Sequence, residues 1–115
     1  MRRVAPVRQT DLVRASPSFD FSAELWEWSS KASWFFVTVP VDVSDEIAAR
    51  MEGFERGFGS VRVRVRIGGS EWATSVFPDS KRQAYLLPVK KAVRVAEAIA
   101  PGDAVVVRLA LVDLP

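Results

Sequence analysis

Alternating apolar and charged residues in the middle of the chain predict a strand. In SVRVRVRI, apolar residues occupy every second position, and the positions between them hold Arg62, Arg64 and Arg66. A period of two is typical of a strand with one buried and one solvent-facing side. Gly68 and Gly69 can both adopt the positive φ of a type I′ turn, so EWATSVF is predicted to return antiparallel. A two-residue turn places Val65 opposite Trp72 on the inner face. It places Arg62 opposite Ser75 on the outer face.

Four further stretches predict strands by alternation or by apolar content. FDFSAELWEW alternates with a period of two and runs on through Trp26 and Trp28, and WFFVTVPV follows after a short turn. AYLL and AVVVRLALVD are short and rich in apolar or β-branched residues. Trp26 and Trp28 share the phase of the polar residues in their strand, so their exposure would indicate a partner surface. The alternative is that these indoles, with Trp34 and Trp72, line a ligand cavity or fill the core.

Two segments carry the signals of short helices. In VSDEIAARMEG, Ser44 is placed to cap the N-terminus, acidic residues follow in the first turn, and Gly53 stops the helix. The second helix is predicted over Val89 to Ile99, after Pro88, whose missing N–H suits a first turn. The predicted order is β-β-α-β-β-β-α-β. A sheet of this size with short hairpins favours a mainly β fold, a small closed or split antiparallel β-barrel capped by two short helices.

The composition restricts the chemistry that the chain can perform. Its 115 residues are the length of one domain, and it contains no cysteine and no histidine. Thiolate nucleophiles, Ser-His pairs, disulfides and metal sites with imidazole or thiolate ligands are therefore excluded. We expect no cofactor and no metal. The apolar stretches fall far short of the roughly 20 residues that cross a bilayer, and the lack of cysteine fits a cytoplasmic location, so we expect a cytoplasmic protein without membrane association.

Basic residues are concentrated at the N-terminus. The net charge is only +2, yet four arginines stand against a single aspartate in the first fourteen residues. This segment lacks the continuous apolar run of a secretory signal. We predict that residues 1–18 form a flexible basic tail and that residues 19–115 form a single β-barrel domain.

The stretch LPVKKAVR places cations at the start of the second predicted helix. Lys90, Lys91 and Arg94 would surround backbone N–H groups without helical partners, which is how many phosphate sites are built. Ser75, on a neighbouring predicted strand, could complete this anion pocket. The alternative is a solvated helix face whose long side chains cover apolar surface with their stems. Ser75 and Lys90 could also form a Ser-Lys pair, although nothing in their spacing requires one.

The arginine stripe suggests a second class of partner. Arg62, Arg64 and Arg66 repeat about every 7 Å along the strand, a spacing that could meet a phosphate backbone. Together with the basic tail they support nucleic-acid binding as an alternative function. The structural alternative is an exposed strand face whose like charges discourage aggregation. A net charge of +2 is small for a dedicated nucleic-acid binder, so we favour other partners.

Several motifs together resemble a known family. They are FSAEL, WFFVTVP, GSVRVRVRIGGSEWATSVFP and YLLPVKKAVRVAEAIAPGDAVVVRL, which cover about Phe19 to Asp113. On these motifs the chain resembles the bacterial domain of unknown function DUF1905. The resemblance implies a double-split β-barrel capped by helices, a fold shared with some DNA-binding regulators, and it implies no particular activity. Where the family usually has a glycine-containing loop, this chain has Asp79 to Ala84 without glycine.

The sequence therefore favours a non-catalytic binding module over an enzyme. We expect its partner to be a small anionic ligand held by Ser75, Lys90, Lys91 and Arg94, or another protein. The alternative is a nucleic-acid-associated regulator that uses Arg62, Arg64, Arg66 and the basic tail. The residues leave the oligomeric state and the identity of the ligand open.

Overall fold

The computed structural model describes residues 17–29 and 33–112 of the chain. Its elements in chain order are β1 (Ser18–Ser29), β2 (Ser33–Thr38), α1 (Val41–Met51), a 3₁₀ turn (Gly57–Gly59), β3 (Val61–Ile67), β4 (Ser70–Asp79), β5 (Ala84–Pro88), α2 (Lys91–Glu97) and β6 (Ala104–Leu111). The predicted order and the mainly β class with two short helices are confirmed. The predicted tail of residues 1–18, apart from Pro17 and Ser18, lies outside the described residues and stays a prediction.

The six strands close into an antiparallel barrel in the order β1-β2-β5-β4-β3-β6. The barrel closes because β1 is long enough to serve two partners. Its first part, from Ser18 to Glu24, pairs with β6, and its second part, from Leu25 to Ser29, pairs with β2. In this closed order each strand has a neighbour on both sides, so the predicted barrel is confirmed in its closed form.

The β3–β4 hairpin has the predicted register. Val65 lies opposite Trp72 and Arg62 lies opposite Ser75, and the apolar residues of β3 are buried while its arginines are exposed. The turn itself differs from the expectation, because Gly68 has a positive φ of 57° and Gly69 does not. A positive φ at the first position alone is the pattern of a type II′ turn, which twists the strands equally well.

The core fills the interior of the barrel. Its fully buried strand residues are Leu25, Val37, Val61, Val63, Val65, Val76, Leu87, Val107, Leu109 and Leu111. From α1, Ile47 and Met51 are also fully buried, because this helix packs against β5 at one end of the barrel. At the opposite end α2 lies against the β3–β4 turn and contributes Val93. No helix among the described residues is long and apolar enough to cross a membrane.

The first helix begins a turn earlier than predicted. It starts at Val41 after Pro40, so the prediction that Ser44 caps its N-terminus is wrong. Ser44 is buried instead. Its hydroxyl donates to the backbone oxygen of Val39 at 3.0 Å and accepts from the backbone N–H of Tyr85 at 3.0 Å. This side chain therefore ties α1 to the end of β2 and the start of β5.

Replacing Ser44 with alanine should lower the free energy of unfolding by about 1–2 kcal/mol, because it leaves the buried Tyr85 N–H without its acceptor. Urea denaturation measures this loss. Asp45→Ala, at the exposed position next to Ser44, is the matched control, since it changes the same helix without touching the bridge. Equal stability of the Ser44→Ala variant and the unchanged protein would contradict the bridging role.

The second helix is shorter than the predicted Val89–Ile99. Pro88 ends β5 instead of opening the helix, and the helix stops where Ala98 adopts a left-handed φ of 53°. Its orientation follows from a tertiary contact. The Glu97 carboxylate accepts from the Gly69 N–H at 3.3 Å and from the Ser70 hydroxyl at 2.6 Å, which fixes α2 on the hairpin turn.

Candidate functional site

A cleft opens where β4 diverges from β5. The two strands pair only from Phe77 to Asp79, so the first part of β4 and the segment after Pro88 separate. The volume between them is about 480 Å³. Its walls are formed by Ser33, Trp34, Phe35, Trp72, Ala73, Thr74, Pro88, Val89, Lys90 and Arg94. No carboxylate lines this cleft among the described residues, so its electrostatic character is set by two cations.

Arg94 is held in place on two sides. Its Nε donates to the backbone oxygen of Val89 at 3.2 Å, and the centre of its guanidinium lies 3.6 Å from the centroid of the Phe35 ring. The side chain is half-buried. Within residues 17–29 and 33–112, its Nη atoms have no hydrogen-bond acceptor. The guanidinium is thus oriented by the protein while part of its hydrogen-bonding edge stays free.

Lys90 and Thr74 provide further polar groups at the cleft. Lys90 is exposed and directly precedes α2. Thr74 is half-buried and lies opposite Val63, on the inner side of β4. The cleft therefore combines two cations and a hydroxyl with an aromatic lining from Trp34, Phe35 and Trp72. Chemically, this arrangement can bind an anion attached to a flat apolar body.

The other predicted site residues lie elsewhere. Ser75 is opposite Arg62 on the outer face of β4 and does not line the cleft. Lys91 is exposed on α2 and does not line it either. The structure brings together Lys90 and Arg94, with Thr74 in the place predicted for Ser75. It does not bring Ser75 and Lys90 together as a Ser-Lys pair.

The sequence indicates the hydroxyl of Ser75 only through its position in a predicted strand, next to that of Thr74. Because successive side chains of a strand point to opposite faces, either Thr74 or Ser75 could face the cations, and the strand's neighbours decide which. The burial of Trp72 fixes Thr74 on the inner side. Phe35 carried no signal in the sequence, because its ring meets Arg94 only through the fold.

Aromatic side chains cover part of the outer surface of β1 and β2. Trp28 and Trp34 are 52% and 57% exposed, and both lie about 6 Å from the buried Phe36 ring. Trp26 is half-buried, 5.2 Å from Phe36, and the Arg82 guanidinium lies 4.2 Å from its ring centroid. The alternation of β1 predicted that Trp26 and Trp28 share an outer face. That Trp34 and Phe36 of β2 join the same surface follows only from the register of the two strands.

The arginine stripe lies on another side of the barrel. Arg62, Arg64 and Arg66 are exposed on β3, and Arg66 stands opposite both Glu71 and Arg108. Arg108 donates to the Asp20 carboxylate at 2.8 and 3.1 Å, and this hydrogen bond holds the pKa of Asp20 below its usual value. The stripe itself is solvated, and its role in nucleic-acid binding stays a prediction.

No group of three or more acidic, histidine or cysteine side chains is arranged to hold a metal ion within the described part of the chain.

Comparison with protein-family models finds a match to "Domain of unknown function (DUF1905)" over residues 21–109. Comparison with curated proteins finds no match. The family match covers most of the barrel and both walls of the cleft.

Proposed function

Since the chain belongs to the DUF1905 family, whose description names no activity, we propose its function from the geometry of the cleft: it is a non-catalytic module that binds a small anionic ligand. The observation that carries this proposal is the state of Arg94. Its guanidinium is stacked on Phe35 and anchored to Val89, and its Nη atoms lack an acceptor among the described residues. An oriented cation with free donors loses little conformational entropy when an anion binds.

The lining of the cleft defines the chemical class of the ligand. Trp34, Phe35 and Trp72 present apolar surface beside Lys90 and Arg94. Pockets for small molecules typically occupy about 300–1,000 Å³ and combine apolar walls with a few polar groups, and the cleft of about 480 Å³ fits this description. We therefore propose a carboxylate or phosphate ester with a flat apolar part, its charge at Arg94 and Lys90.

Benzoate is a suitable probe because it combines a carboxylate with a flat ring. We expect a titration to shift the Trp72 indole N–H signal in a two-dimensional NMR spectrum of the full chain. Benzamide has the same shape without the charge and should bind more weakly. Replacing Arg94 with glutamine should weaken benzoate binding at least about tenfold, because a charge-assisted hydrogen bond contributes about 1.5–3 kcal/mol.

Matched variants separate the cleft from general surface charge. Lys91→Gln removes a neighbouring exposed cation outside the cleft and should leave the affinity for benzoate unchanged. Lys90→Gln removes a cleft cation that makes no anchoring contact and should weaken binding without loss of stability, which keeps the test valid if Arg94→Gln is poorly folded. Equal effects of Lys90→Gln and Lys91→Gln, or equal binding of benzoate and benzamide, would contradict the proposal.

A further inference from the structure

One edge of β4 lacks a neighbouring strand beside the anion cleft. On the side of β3, this strand is paired from Ser70 to Val76. On the side of β5, it is paired only from Phe77 to Asp79. The edge of residues 70–76 that faces away from β3 therefore has no strand partner among residues 17–29 and 33–112, and we call it the open edge.

The backbone groups along the open edge can be identified from the hydrogen bonds of β5. Tyr85 donates its N–H to the Ser44 hydroxyl and accepts from the Val39 N–H, so its backbone faces away from β4. Leu86, the next residue, turns its backbone to the opposite side, where its partner is Phe77. Alternation along β4 then places further N–H and C=O groups on the same side as those of Phe77. They belong to Glu71, Ala73 and Ser75.

The open edge exists because a proline ends the pairing of β4 with β5. The hydrogen-bonded pair after that of Phe77 would join Ser75 to Pro88. Proline has no N–H, so it cannot donate to Ser75. The following residue, Val89, donates to the Phe35 oxygen of β2 at 2.9 Å, and the chain then turns into α2. Within the part of the chain that the structure describes, the backbone groups of the open edge consequently have no hydrogen-bond partner.

An extended polypeptide is the partner that this edge fits. A row of unpaired N–H and C=O groups pairs with an added strand, which is a common mode of peptide recognition. The added strand cannot continue past Phe77, because β5 occupies the neighbouring position from there on. It therefore ends or turns away beside Ser75, at the end of the open edge towards Pro88.

The charges of the cleft select a chain that ends there with a free carboxylate. Residues 72–74 of β4 line one side of the cleft, and Lys90 and Arg94 belong to the segment on its other side. The Arg94 Nε–H donates to the Val89 oxygen, which holds the guanidinium next to the residue that follows Pro88. A terminal carboxylate complements these cations, whereas a terminal ammonium would be repelled.

Two acidic residues lie near the other end of the open edge, at the hairpin turn. Glu71 stands opposite Arg66 and does not line the cleft. The Glu97 carboxylate accepts from the Gly69 N–H and the Ser70 hydroxyl. Neither carboxylate lines the cleft with Lys90 and Arg94, so an added strand places its own carboxylate at the cleft and not at the turn.

We propose that the ligand of the cleft is the C-terminus of an extended polypeptide. Its backbone pairs with Ala73 and the neighbouring groups of the open edge as an added strand. Its terminal carboxylate binds Lys90 and Arg94, and its last side chain is apolar and lies against the aromatic lining of the cleft. Such a ligand rests on the anion site proposed above and specifies the molecule that carries the anion.

Hydrogen exchange of the full chain, followed by NMR, tests the pairing directly. In the free protein we expect the Ala73 amide to exchange fast and the Thr74 amide, which faces β3, to exchange slowly. The probe is an acetylated pentapeptide of alternating threonine and valine that ends in phenylalanine with a free carboxylate. At saturation it should slow exchange of the Ala73 amide at least about tenfold. Benzoate should shift the Trp72 indole signal without protecting the Ala73 amide.

Two altered peptides separate the backbone from the carboxylate on the unchanged protein. The same peptide with a C-terminal amide loses only its charge and should bind at least about tenfold more weakly. The same peptide with N-methyl groups along its backbone keeps the carboxylate but cannot donate to β4. It should bind no more tightly than acetylated phenylalanine, which has the same carboxylate and the same last side chain.

A substitution in β4 tests the open edge from the side of the protein. Ala73→Pro removes one N–H of this edge, and proline is tolerated where a strand N–H faces solvent. It should weaken binding of the peptide at least about tenfold and leave the affinity for benzoate unchanged. Ala73→Ser keeps the N–H and is the matched control, with peptide binding unchanged. Arg94→Gln should weaken binding of both ligands.

Three results would overturn the proposed peptide ligand. The first is an Ala73 amide that is already protected in the free protein, because another part of the chain or a second copy would then cover the open edge. The second is equal binding of the free-carboxylate and amide peptides. The third is peptide binding that N-methyl groups do not weaken. Benzoate binding alongside the first or third result would leave the anion site standing, whereas loss of benzoate binding as well would remove both proposals.

Discussion

Replacing Val107 with alanine should lower the free energy of unfolding by about 2–3 kcal/mol, whereas the same replacement at Val106 should change it by less than about 1 kcal/mol. The two residues are neighbours in β6 and are chemically identical, but Val107 is 0% exposed and Val106 is 72% exposed. Val107 points into the barrel, where removal of two methyl groups leaves a cavity. Val106 points to solvent, where only strand propensity changes.

Urea denaturation of the two variants provides the measurement. Unchanged dependence on urea concentration would show that the variants unfold from the same compact state, so their midpoints can be compared directly. Similar losses at both positions would contradict the barrel, because they would mean that β6 is buried on both faces. The run AVVVRLAL is apolar enough for either result, so the experiment tests the tertiary structure and not the sequence pattern.

Replacing Gly68 with alanine should lower the free energy of unfolding by about 2–4 kcal/mol, from backbone strain and a displaced carboxylate together. Gly68 has a φ of 57°, a conformation that residues with a side chain rarely adopt. An added Cβ would also overlap Oε1 of Glu97. The Glu97 carboxylate would have to move away from the Gly69 N–H and the Ser70 hydroxyl, which anchor α2 to the turn.

A pair of further variants separates these two causes. Gly57→Ala is the matched control, because its Cβ would meet no atom within 4 Å and its backbone has no positive φ. In a background that already carries Glu97→Ala, the cost of Gly68→Ala should fall to the backbone strain of about 1–2 kcal/mol. An unchanged cost in that background would contradict the role assigned to the carboxylate.

Much of the fold followed from local patterns. The register of the β3–β4 hairpin was predictable because alternation and a two-residue turn leave one way to bury Val65 and Trp72 together. The bounds of the helices were less predictable. Ser44 has the features of an N-cap, yet its hydroxyl satisfies the Tyr85 N–H, 41 positions away in the chain, and the helix begins at Val41 instead.

The candidate site was predictable only in part. LPVKKAVR identified Lys90 and Arg94, because a cluster of cations is visible in any sequence. The cleft also needs Thr74 of β4 and the ring of Phe35 of β2, which lie beside Arg94 only in the folded barrel. Lys91 belongs to the same cluster in sequence but faces solvent, since one residue along a helix turns a side chain by about 100°.

The sequence by itself determined the order of the elements, the inner and outer faces of β3 and β4, and the exclusion of thiolate and imidazole chemistry. These properties depend on residue types and on periods of a few positions, which are local. Only the tertiary structure decided how the barrel closes, which hydroxyl lines the cleft with Arg94, and how Trp28, Trp34 and Phe36 form one aromatic surface on β1 and β2. Those features depend on contacts between strands that are distant in the chain, and such contacts are set by the packing of the whole barrel.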